Sequence, residues 1–129
     1  MIDMGEVSRE PLRRGANIAE RLMQYSVAVL EVVGRLRKSP SMRHVASQWM
    51  RSSTAIGAAY EEARAAESRG DFIHKVGIAA KEAREASYWA EMVHRAGWLD
   101  VSVLVREGRE LTAILGACAR TARANAEKP

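Results

Sequence analysis

Apolar residues at Ile18, Leu22, Tyr25, Val29, Val32 and Leu36 recur in alternating steps of four and three. That spacing puts them along one stripe of an α-helix and excludes a strand, whose faces alternate every second residue. The same stripe returns at Val45, Trp49, Ser52, Ile56, Tyr60 and Ala63, then at Phe72, Val76, Ala79, Ala83, Ala86, Ala90 and Val93. It returns a last time at Leu104, Glu107 or Gly108, Leu111, Leu115, Cys118 and Ala122. Four helices of roughly 25 residues, each about 38 Å long and joined by short loops, bury such stripes only against one another. The pattern therefore predicts an all-α fold, an antiparallel up-down-up-down four-helix bundle.

Local signals set the limits. The first helix is expected over Arg13–Lys38, stopped by Ser39-Pro40 because the residue before a proline is pushed out of the helical region. Ser41 is then placed to cap a second helix over Met42–Ala66. Ser68, with Asp71 three residues on, reads as a capping-box-like pair opening a third helix over Asp71–Arg95, and Gly97 supplies a left-handed C-cap. Asp100 caps a fourth over Val101–Ala124, so the bundle domain spans residues 13–124 between flexible segments at 1–12 and 125–129. A turn centred on Ser68 pairs Gly57 with Ala79, Glu61 with Lys75 and Arg51 with Glu85. Mid-helix glycines at 57 and 77 cost ~1 kcal/mol each, which predicts a close backbone approach between these two helices.

The 129 residues suit one domain, and 47% apolar with only 5% aromatic content means a core of Ala, Val, Leu, Ile and Met. A single cysteine, Cys118, rules out an internal disulfide and a zinc cluster, and the acidic, non-apolar N-terminus does not read as a secretory signal. The longest charge-free stretches, such as Leu22–Leu30, are nine residues, about half of the ~20 that span a bilayer. A cytoplasmic protein without a membrane partner is expected.

Catalytic patterns are weak. Glu91-Met92-Val93-His94 and Asp71-Phe72-Ile73-His74 have carboxylate-x-x-His spacing, but both lie on the third helix, about 30 Å apart, where a bundle metal site needs them on facing helices. Cys118 sits on an apolar stripe without a positioned base, Ser52 and Ser53 lack a nucleophile-elbow pattern, and no phosphate-cradling glycine loop occurs. No enzyme, catalytic residue, cofactor or metal is expected. The charge pattern is more informative: the formal charge is +4, and between Glu31 and Glu61 stand Arg35, Arg37, Lys38, Arg43 and Arg51 with no acid. Such a cluster can meet phosphates through counterion release, or simply complement the C-terminal dipole of the first helix. Trp49, Tyr60, Tyr88, Trp89 and Trp98 are more aromatics than a narrow Ala-lined bundle hides, so some are expected to meet another subunit.

The segments Arg51-Ser52-Ser53-Thr54-Ala55-Ile56-Gly57-Ala58-Ala59-Tyr60-Glu61-Glu62-Ala63, Ala66-Glu67-Ser68-Arg69-Gly70-Asp71-Phe72-Ile73-His74-Lys75 and Ile78-Ala79-Ala80-Lys81-Glu82-Ala83-Arg84-Glu85-Ala86-Ser87-Tyr88-Trp89 resemble the bacterial four helix bundle protein family. That family includes proteins encoded by intervening sequences in large-subunit ribosomal RNA genes. The match covers about Gln48 to Leu99. The resemblance implies a homopentamer without enzymatic activity and, through a more distant similarity to the accessory proteins of diversity-generating retroelements, nucleic-acid binding. Many relatives carry Asn where this chain has Ala59, so any polar role of that asparagine is missing. The expectation is a non-enzymatic homo-oligomeric bundle that binds RNA or DNA, or a nucleic-acid-processing partner, through Arg35, Arg37, Lys38, Arg43 and Arg51. The alternative is a protein-binding scaffold with no nucleic-acid partner.

Overall fold

A computed structural model describes residues 16–127, and the expected flexible segment at 1–12 lies outside them. Four helices run α1 Ala16–Val33, α2 Pro40–Arg64, α3 Arg69–Arg95 and α4 Ser102–Ala126. Neighbours in the chain pack side by side, α2 against α3 most broadly, and α1 closes the bundle against α4 along a thin seam. This is the antiparallel four-helix bundle the periodicity predicts. Val76, Ala79, Ala83, Ala86, Ala90 and Val93 of α3 are all buried, and opposite them Trp49, Ser52, Ile56, Tyr60 and Ala63 of α2 are buried too.

Several helix limits differ from the sequence expectation, the end of α2 at Arg64 rather than Ala66 and the start of α3 at Arg69 rather than Asp71 by two residues each. α1 ends at Val33 rather than Lys38: Gly34 follows, and tight turns take over, with Arg35 N donating to Val32 O at 2.9 Å and Leu36 N to Val33 O at 3.1 Å. Leu36 stays only 1% exposed, so the apolar stripe outlasts the helix that carries it. α2 starts at Pro40, whose fixed φ and missing N–H suit the first helical position, and Ser39 rather than Ser41 is the cap. The Ser39 side-chain oxygen accepts the Met42 N–H at 3.1 Å. Ser68 caps α3 as expected, accepting the Asp71 N–H at 3.0 Å, and Gly97 is left-handed with φ 73°. Asp100 Oδ1 accepts the Ser102 N–H at 3.1 Å at the start of α4, which runs two residues beyond the expected limit.

The register between α2 and α3 is close to the predicted one. Arg51 meets Glu85, and also Glu82 at 3.2 Å, while Lys75 reaches Glu62 at 2.7 Å instead of Glu61, which pairs with Arg64 along its own helix. Gly57 does not face Ala79: a Cβ there would lie 3.7 Å from Leu22 Cβ, so its missing side chain admits α1. Ser52 and Ser53 line the interior with their hydroxyls bonded back to their own helix, and the Ser53 carbonyl accepts the Ser26 hydroxyl of α1 at 2.8 Å. Of the five aromatics among which some are expected to meet another subunit, Trp49 and Tyr60 are buried within this one chain.

The α1–α4 seam carries an element the apolar pattern did not foresee. Arg21 is buried there, its Nε donating to Glu107 Oε2 at 3.2 Å, with Glu110 3.2 Å from the guanidinium. Burial works to lower the Arg21 pKa, and the two carboxylates outweigh it and leave it raised. One turn along α1, the Tyr25 hydroxyl accepts the Trp49 indole N–H at 3.3 Å, and its own pKa is pushed up to about 12 by burial.

Candidate nucleic-acid interface

The expected basic residues divide into two groups. Arg35, Arg37 and Lys38 occupy the exposed α1–α2 loop and Arg43 the first turn of α2, its Nη1 donating to the Arg37 carbonyl at 3.0 Å. That bond ties the loop to the helix it precedes and holds cationic side chains at one end of the bundle. Arg51 stands apart, further along α2, between the carboxylates of Glu82 and Glu85. Its bond to Glu85 raises the Arg51 pKa, while the Trp89 indole N–H and then Arg51 hold the Glu85 carboxyl below its usual range. Arg51, half exposed, is thus shared between two carboxylates at the bundle surface.

A second basic surface lies in the groove between α3 and α4, a cleft of 380 Å³. Its floor is made of small residues, among them Gly77 and Ala80 of α3 and Gly116 and Ala119 of α4. Over that floor stand Lys81 and Arg84 from α3 and Arg120 and Arg123 from α4, and among the described residues no carboxylate lines the groove. Small side chains let the guanidinium groups lie across the helices. Arg123 Nη2 crosses from α4 to within 3.4 Å of where a Gly77 Cβ would stand, and Arg120 Nη1 lies 3.3 Å from the corresponding point at Gly116. None of the four cations forms an ion pair among the described residues.

Sequence reasoning missed this groove because Lys81 and Arg84 converge on Arg120 and Arg123 only once the register of α3 on α4 is known. A signal was present. Both helices place cations beside Gly or Ala on one face, and α4 carries no acid between Leu111 and Ala126. The groove and the loop cluster are separate, because Arg84 lies eleven residues, about 16 Å, from the end of α3 that neighbours the loop.

The α1–α2 seam is of opposite character. Met23 (60% exposed), Val27 and Leu30 (45%) of α1 line a cleft of 560 Å³ whose other wall includes Gly57 and Ala58. Since α1 adjoins α2 and α4, and α3 adjoins the same two, this apolar seam lies across the bundle from the basic groove. The three histidines do not converge: His44 meets the Trp89 ring edge-on at 6.4 Å, and His94 Nδ1 lies 3.8 Å from Asp100. Burial raises the pKa of Cys118, which is half-buried on α4. Among the described residues, no helix is long and apolar enough to cross a membrane.

No curated protein matches the chain. Among solved structures, a protein of unknown function from the S23 ribosomal protein family of Bacteroides thetaiotaomicron is similar over 84% of this chain and 99% of its own, at 27% identity and a TM-score of 0.75. The family model described as 23S rRNA-intervening sequence protein matches residues 15–117, most of the bundle and both walls of the basic groove except for the last turns of α4. The chain belongs to the 23S rRNA-intervening sequence protein family.

Proposed function

We propose that this protein is a non-enzymatic homo-oligomer that binds RNA or DNA through basic surfaces, the α3–α4 groove foremost and the loop cluster of Arg35, Arg37, Lys38 and Arg43 second. The observation that carries the reading is the set of four groove cations without carboxylate partners among the described residues, over a floor of small side chains. Cations already paired with carboxylates gain less from a polyanion, whereas unpaired ones gain by exchanging small counterions for phosphates. Arg51, paired twice, contributes least. The apolar α1–α2 seam supports self-association, and a pentamer is the assembly that the family resemblance implies.

Titrating labelled structured RNA and duplex DNA with the whole protein across a salt series tests the reading. Affinity that falls steeply with salt, and falls further in R120Q/R123Q and R37E/K38E, is expected. Absence of binding to either at low salt would contradict it and favour the protein-scaffold alternative.

A further inference from the structure

We infer that the α3–α4 groove takes a single strand of nucleic acid, with the four cations following its phosphodiester backbone and Tyr88 stacking on an unpaired base. The inference rests on the nucleic-acid reading above and adds the form of the nucleic acid. Gly77, Lys81, Arg84 and Tyr88 follow one another at steps of four, three and four, which is one stripe of α3, so Tyr88 stands one turn beyond Arg84, just past the residues that line the groove. Tyr88 is 61% exposed, the most exposed of the large aromatics, and among the described residues its hydroxyl makes no hydrogen bond. Neither burial nor a polar tether accounts for a tyrosine there.

The ring is nonetheless braced. It meets Trp89 edge to face at 5.3 Å and 75°. Trp89 is itself fixed by its indole N–H donating to Glu85 at 3.0 Å and by the edge-on contact with His44 of α2. An exposed aromatic held steady beside unpaired cations is the combination that binds single strands with little sequence preference, since every base has a face to stack and every nucleotide a phosphate. The cations extend from the level of Gly77, where Arg123 lies, to Arg84, about 10 Å along the axis. The cleft of 380 Å³ falls in the size range of pockets that hold one small molecule, so it can seat part of a strand. A duplex also keeps its bases stacked on each other, beyond the reach of Tyr88.

Fluorescence anisotropy with the whole protein tests this, using unstructured oligo-uridine RNA, oligo-thymidine DNA and a DNA duplex as probes. The variants are Tyr88→Ala, Tyr88→Phe and R120Q/R123Q, each checked for an unchanged helical melt. One or both single strands should bind more tightly than the duplex. Tyr88→Ala should weaken single-strand binding about tenfold, Tyr88→Phe should restore it, and duplex binding should ignore both changes. A duplex preference, or single-strand binding indifferent to Tyr88 and to R120Q/R123Q, would overturn the single-strand site and leave nucleic-acid binding to the loop cluster. Binding of no probe would overturn both readings together.

Discussion

Arg21 is the side chain that most depends on its neighbours. A guanidinium withdrawn from water loses hydration worth several kcal/mol, and Glu107 and Glu110 offset that loss across the α1–α4 seam. Truncating Glu107 to Ala leaves the cation buried with one exposed carboxylate, so equilibrium urea unfolding should show about 3 kcal/mol of lost stability, and the double substitution R21M/E107L should recover most of it. Tyr25 sets a limit at high pH. Its folded pKa of about 12 lies above the ordinary ~10 of the unfolded chain, so the neutral phenol stabilises the fold below pH ~10, and that stabilisation fades as the pH rises toward 12. The loss amounts to about 2 to 3 kcal/mol, and Tyr25→Phe should flatten that part of a stability-against-pH curve. Glu107 was legible in the sequence only as an interruption of an apolar stripe. Its partner stands on another helix 86 residues away, and the α1–α4 seam that joins them follows from packing, which periodicity along one helix does not encode.

At the scale of elements, apolar spacing gave helix number, faces and order, because burying a stripe is the dominant demand on each segment. Helix ends followed finer chemistry. Ser39-Pro40 reads in the sequence as the stop to α1 ahead of a Ser41 cap, and Pro40 is instead the first residue of α2, with Ser39 as the cap. Ser39→Ala should therefore cost about 1 kcal/mol in thermal or urea unfolding while Ser41→Ala costs much less, and the reverse order would return the helix start to Met42. The left-handed Gly97, with φ 73°, was read correctly, because only glycine turns the chain there without a Cβ penalty. The turn centred on Ser68 makes the α2–α3 register legible to within a residue, yet it assigns Gly57 to the wrong neighbour. A small side chain advertises a close approach without saying which helix makes it.

The whole molecule presents two unlike seams, apolar between α1 and α2 and cationic between α3 and α4, on opposite sides of one bundle. If the apolar seam holds subunits together, M23E/L30E should lower the mass seen by light scattering toward that of one 14.3 kDa chain while each subunit keeps its helical content. An unchanged mass would place the interface elsewhere. The basic groove was the least legible feature of all, since it exists only where four cations from two helices, some 40 residues apart in sequence, face one another across alanine and glycine. Family membership transmits the bundle and does not by itself transmit a ligand. The most direct test of the groove is therefore the salt dependence of single-strand binding in the native protein and in R120Q/R123Q. Each lost phosphate contact removes about 0.7 from the slope of log affinity against log salt, so the double variant should be shallower by about 1.4. A slope identical to that of the native protein would mean that Arg120 and Arg123 touch no phosphate and would contradict the groove as the binding surface.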